Sequence, residues 1–227
     1  MALSCLAELR PAARARGRRR RGLAGLALVA WAGTAAGDAT LAGVLQASLP
    51  GESPERVHQL LEEKFVLLPD DDPEAADAGR VRALVLFAQP QPRVLQLLVQ
   101  TGRQTEYRRD LDGLRVVEQL PDREVDEHDM KILLTRISFW LRYQFDFATG
   151  RIAWSLDPRF PNQMRVVEGS WELQPLDPGH TLARFATRID VGPALPSFLQ
   201  TLATRKNLPA TLDRVRRWVD SDGRYRP

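Results

Sequence analysis

The sequence predicts an α+β fold: a curved antiparallel sheet wrapped around one long C-terminal helix, preceded by an N-terminal secretory signal. Three observations carry this prediction. Residues 133–191 alternate apolar and polar positions in segments separated by short turns, the period of half-buried strands. From Pro196 to about Ser221 the period changes to helical, with Phe198, Leu199, Leu202, Leu212, Val215, Trp218 and Val219 on one broad side. The first 37 residues have an arginine-rich start, an apolar run and a small-residue stretch, in the order an export signal needs.

That signal accounts for the basic character of the chain. Seven arginines and only Glu8 lie within residues 1–37, and removing them turns the net charge from +3 into −3, with 25 basic and 28 acidic residues left. Nucleic-acid binding by a generally basic surface therefore has no support. The apolar run from Gly22 to Ala36 is 15 residues long and diluted by glycines, short of the ~20 consecutive apolar residues that span a bilayer. Thr34-Ala35-Ala36-Gly37 supplies the small residues of a cleavage site before Asp38. Arg20-Arg21 loosely resembles a twin-arginine signal, although any block of four arginines contains such a pair. The single cysteine, Cys5, would leave with the signal, so disulfides, cysteine metal sites and cysteine nucleophiles are excluded from the mature chain. Export to the periplasm or the extracellular space is the expected localisation.

Four segments follow from this reading: residues 1–37 as signal, 38–79 as an N-terminal extension, 80–221 as the folded domain and 222–227 as a tail. In the extension, Ser53-Pro54 opens a helix because serine caps free amides and proline suits the first helical position. Val57, Leu60, Leu61 and Phe65 give that helix an apolar side. Residues 69–79 are acidic without apolar periodicity, which reads as a solvated linker; they lack the spacing and glycine of a calcium loop. Arg80–Gln89 reads as a largely buried strand stopped by Pro90 and Pro92, Arg93–Gln100 as a short helix, and Leu114–Leu120 as a strand. In the main sheet, Leu133, Ile137 and Phe139 are expected on one strand and Tyr143, Phe145 and Phe147 on the next. Ile152, Trp154 and Leu156 return after the turn at Thr149-Gly150. Val167, Gly169, Trp171 and Leu173, then Phe185, Thr187, Ile189 and Val191, complete it. Pro209 should bend the closing helix near Asn207-Leu208, since an internal proline removes a hydrogen bond and crowds the preceding turn.

This order of elements, the run Val167-Glu168-Gly169-Ser170-Trp171-Glu172-Leu173 and the stretch Asn207-Leu208-Pro209-Ala210-Thr211-Leu212 resemble the START-like, helix-grip superfamily. That superfamily includes polyketide cyclases and dehydrases, lipid-transfer domains and coenzyme Q-binding-like proteins. The resemblance covers about residues 80–221. It implies an apolar cavity between the sheet and the last helix that holds a lipid, isoprenoid or polyketide-like molecule. The residues expected to line it are Phe139, Tyr143, Phe145, Trp154, Trp171, Phe185, Phe198, Leu202 and Leu212. A void of ~300–1,000 Å³ would be in the usual range for a ligand site.

Catalytic chemistry is not legible. His58, His128 and His180 sit in separate segments, so no metal-ligand spacing exists and a surface position is expected for each. No nucleophile elbow, phosphate-cradling loop or dinucleotide fingerprint appears. Glu118, Glu168 and Glu172 are expected at the solvent side. The leading expectation is an exported, non-catalytic carrier of a hydrophobic small molecule with no cofactor, no metal and no nucleic-acid partner; any membrane contact would be transient. The alternative is a cyclase- or dehydratase-like enzyme with Tyr143 or Arg184 assisting in the pocket. A protein-interaction module with a filled interior is the third possibility.

Overall fold

The computed structural model describes residues 33–69, 79–132, 135–192 and 207–227. Most of the expected signal, the acidic stretch 70–78, Leu133, and the residues Pro196, Phe198, Leu199 and Leu202 lie outside the described residues. Within them, eight antiparallel strands form one curved sheet in the order β1-β2-β8-β7-β6-β5-β4-β3. Their ranges are β1 Phe65–Leu68, β2 Arg80–Phe87, β3 Leu111–Leu120, β4 Arg123–Ile132, β5 Thr135–Asp146, β6 Arg151–Leu156, β7 Val166–Asp177 and β8 His180–Asp190. The helices are α1 Gly33–Ser48, α2 Pro54–Glu63, α3 Gln91–Leu98 and α4 Leu208–Asp220, with a 3-10 segment at Thr101–Glu106.

Strand alternation divides the core into two layers. On the concave face, Val85, Phe87, Phe139, Tyr143, Trp171 and Phe185 pack against α3 and α4. On the opposite face, Leu84, Leu86 and Leu182 pack against Leu41 and Leu45 of α1 and Val57 and Leu60 of α2. Helix α1 runs through the 37/38 boundary expected for cleavage, and Leu41 and Leu45 are buried on it.

Helix α2 starts as anticipated: Ser53 Oγ accepts from the Arg56 amide at 3.3 Å, and Pro54 holds the first position. It stops earlier than its apolar side implied. Lys64 adopts the left-handed conformation (φ 67°), turning the chain so that Phe65 enters β1 opposite Val85 instead of extending the helix. The extension thereby adds a strand to the sheet edge.

Two strand expectations are corrected. Ile137, Phe139, Tyr143 and Phe145 belong to one 12-residue strand, β5, because their shared parity continues through Leu141; Phe147 falls in the following turn, 53% exposed. Strand β4 had no counterpart in the sequence reading. Its inward positions Glu124, Asp126 and His128 are polar, so a hydropathy alternation does not reveal it.

Helix α4 buries Leu212, Val215, Trp218 and Val219. Pro209 occupies its second position, where an amide needs no intrahelical partner; the expected bend falls at the border of the described residues. The C-terminal end is pinned. Trp218 is fully buried, lies 4.8 Å from the Tyr107 ring and donates from Nε1 to Glu106 at 3.1 Å. Asp220 accepts from the Ala88 amide at 2.8 Å, and Asp222 pairs with Arg93 at 2.5 Å. Residues 222–227 fold back, with Arg226 2.8 Å from Glu106.

Docking of α1 on the sheet has a measurable consequence. Leu45→Ala should lower unfolding free energy by about 2–5 kcal/mol, the usual cost of truncating a buried leucine, in urea denaturation of the full chain. An unchanged midpoint would mean that α1 does not pack there.

Candidate functional site

A cavity of about 150 Å³ lies between the concave sheet face and α4. Five of the expected residues, Phe139, Tyr143, Trp154, Trp171 and Phe185, line its sheet side, and Leu212 lines the helix side with Leu208, Thr211 and Val215. Phe145 is not in the wall; it is buried behind Tyr143, with ring centroids 6.3 Å apart. Phe198 and Leu202 lie outside the described residues. The volume is smaller than the ~300–1,000 Å³ of typical ligand pockets. It is comparable to an engineered apolar void of ~150 Å³ that takes benzene.

The wall depends on a glycine. A Cβ at Gly169 would overlap both the Trp154 indole and the Ala186 carbonyl, so its absence lets the indole lie flat against β7. Trp154 then stands 5.9 Å from Phe185, which is 4.6 Å from Trp171, giving a contiguous aromatic floor.

One end of the cavity is polar, and most of that end was not anticipated. Arg108 and Asp110 both line it and form an ion pair at 2.6 Å, mostly shielded from solvent. Burial acts against the charge of each. The pair outweighs it, holding the Asp110 carboxyl below its usual value and the Arg108 guanidinium above its own. Arg108 also donates to Gln104 Oε1 at 3.0 Å, and Gln104 Nε2 donates to the Tyr143 hydroxyl at 3.2 Å. Burial raises the Tyr143 phenol well above its ordinary value, so it remains a neutral donor. Arg184, the other polar residue expected in the pocket, points to the opposite face and donates to Gln174 and the Ser48 carbonyl.

Behind Tyr143, β4 contributes a second polar group. His128 was expected at the surface. It is instead fully buried, stacks on Phe139 at 5.2 Å and places Nε2 3.5 Å from the Tyr143 hydroxyl. Asp126, also fully buried, has no hydrogen-bond partner on either oxygen, and His128 Nδ1 has none. Glu124 beside them accepts from the Thr101 hydroxyl. Residues 126–129 are all polar, so the sequence carries no alternation that marks Glu124, Asp126 and His128 as inward. Glu118, Glu168 and Glu172 are exposed, as expected, with Glu118 paired to Arg159 at 2.9 Å. Among the described residues no group of three His, Cys, Asp or Glu side chains is placed to hold a metal ion, and no helix is long and apolar enough to cross a membrane.

Solved structures share this fold. The chain resembles a protein of Thermus thermophilus (18% identity, TM-score 0.55, covering 63% of this chain and 97% of that one). It resembles the Zhui aromatase/cyclase of Streptomyces sp. R1128 (16%, 0.55, 64% and 95%). A STAR-related lipid transfer protein of Xanthomonas axonopodis is similar at 14%, 0.56, 69% and 98%. The chain has the START-like, helix-grip fold. No family model matches the sequence, and no curated protein matches it significantly. At these identities the shared property is the fold, with the gripped helix here being α4.

Within this helix-grip fold the buried Asp126 and His128 give stability opposite dependences on pH. Burial, reinforced by the Glu124 charge, pushes Asp126 up to about 7, and burial pushes His128 down to about 3. Unfolded, the two titrate near ~3.9 and ~6.5. Between about pH 4 and 6.5, unfolding releases a proton from Asp126 and takes one up at His128, so their slopes cancel. Asp126→Asn removes only the releasing group. Its stability relative to wild type should therefore rise steadily from pH 4.5 to 6.5 in urea denaturation, and parallel curves for the two proteins would contradict the assignment.

Proposed function

We propose that this chain is an exported carrier or binding protein for a hydrophobic small molecule of lipid, isoprenoid or polyketide-like character, held between the sheet and α4. The observation that carries this reading is the cavity itself: an aromatic floor facing a mainly aliphatic side of α4 across about 150 Å³ of space. Its volume suits one ring or a short branched chain, and the Arg108–Asp110 pair with Gln104 and Tyr143 offers hydrogen bonds to a single polar end. The lipid-transfer protein among the solved relatives supports the ligand class. Export is supported by the arginine-rich start, the apolar run and the small residues before Asp38; cleavage there would leave every α1 residue known to be buried in place. Protein purified from its native source should begin at Asp38 by intact mass and release an apolar compound near one equivalent on solvent extraction. Repeated recovery of none would count heavily against a carrier.

One observation favours a second reading, a cyclase- or dehydratase-like enzyme. Tyr143 places a neutral hydroxyl in the cavity wall with His128 and Asp126 behind it, an arrangement able to donate a proton to a bound carbonyl or hydroxyl. The aromatase/cyclase among the solved relatives is consistent with it. On this reading Tyr143→Phe lowers turnover of a polyketide-type substrate by roughly 10²-fold or more, the usual scale for losing a general acid. Unchanged turnover would remove the candidate.

A further inference from the structure

The face of the sheet opposite the cavity carries a second concavity, of about 520 Å³. Helices α1 and α2 cover the half of this face that contains Leu84, Leu86 and Leu182. The concavity lies on the other half. Strand register explains its shape. Gln144, Ala153, Ser170, Ala186 and Arg82 are cross-strand neighbours from β5 to β2, so one row across the sheet is mostly small side chains. The adjoining row runs Arg142, Ser155, Glu168, Arg188 and Arg80, and Arg151 borders the other side. A trough floored by alanine and serine is thus lined by five arginines, with Glu168 as the one carboxylate among its described lining residues.

The charges within this row conflict. Arg80 and Arg188 are directly opposed across β2 and β8, and like charges in that position destabilise a sheet. Among the described residues, the carboxylates beside Arg188 and Arg151 compensate weakly: Arg188 and Glu168 are 3.8 Å apart, and Arg151 and Glu172 are 3.6 Å apart, both beyond a well-formed hydrogen bond, while Arg82 donates to the Pro69 carbonyl at 2.7 Å. The Nε of Arg188 is buried without a hydrogen-bond partner. All this occurs in a chain whose residues 38–227 are net acidic. A compact anion in the trough would resolve both the opposed charges and the orphaned donor, because guanidinium forks bind oxyanions bidentately.

We propose that this trough is an anion site for a phosphoryl-bearing molecule, separate from the apolar cavity. Phosphoryl groups suit it because two or more negative charges on one compact group match several converging arginines. The test uses the full chain. Pyrophosphate is titrated calorimetrically at low salt, and phosphatidylcholine vesicles with and without phosphatidic acid are tested by co-sedimentation. Binding of pyrophosphate identifies a soluble source, and binding confined to phosphatidic acid vesicles identifies a lipid headgroup; either supports the site. The variant carrying Arg142→Ala and Arg188→Ala should weaken that binding by about tenfold or more, the scale of losing charge-assisted bonds. Glu168→Gln should tighten it, and salt should weaken it. The thermal midpoint of the double variant should not fall, since one of the opposed arginines is gone. Absence of binding to both probes, or equal binding by wild type and the double variant, overturns the proposal. So does a groove variant that loses stability to the same extent as one with Asp70, Asp71 and Asp72 changed to Asn, because the arginines would then serve the chain's own carboxylates.

Discussion

The burial of Trp218 sets how α4 stands over the sheet, and the cavity follows from that spacing. The indole is enclosed, tilted against Tyr107 and hydrogen-bonded to Glu106, while Arg103 lies 4.9 Å above its ring. These contacts fix the C-terminal end of the helix against the 3-10 segment. The preceding turns carry Leu208, Thr211, Leu212 and Val215 over the aromatic floor, with the cavity between them. A wide apolar stripe on one helix therefore does two jobs, packing at one end and roofing a void at the other.

The sheet makes a similar division through parity. Successive side chains of a strand face opposite sides, so β5 to β8 send aromatic residues into the cavity and arginines, serines and alanines to the back. Helices α1 and α2 cover the apolar part of that back face and not the charged part. Gly169 shows how tightly the two faces are coupled, since any side chain there would collide with Trp154 and the β8 backbone.

The interior also holds polar groups at some cost. Burying polar atoms without partners is unfavourable, and both carboxyl oxygens of Asp126 and Nδ1 of His128 are in that condition. They lie beside Tyr143, whose side chain lines the cavity. The Arg108–Asp110 pair adds a charged element to the same end, satisfied by its own partners and by Gln104. Such an interior is less apolar than the aromatic stripe implied, and it offers a bound molecule a defined orientation.

How much of this was legible depended on where the informative residues lay in the chain. Period and turn chemistry are local, so the succession of strands, the Ser53-Pro54 helix start, the antiparallel order and the final amphipathic helix could all be read from residues alone. Strand parity put Phe139, Tyr143, Trp154, Trp171 and Phe185 on inward faces and helical period put Leu212 on the apolar side of the last helix, while the cavity between them was an implication of the resemblance. Strand β4 could not be read this way, because its buried face is made of Glu124, Asp126 and His128, and an inward polar face resembles a solvated loop to any hydropathy count. Phe65 and Phe147 were misplaced at element ends, where a single left-handed residue or a tight turn decides direction. The polar end of the cavity and the arginine trough were decided only by tertiary structure. Their members come from segments far apart in sequence, and it is cross-strand register, a property of paired backbones, that brings them together.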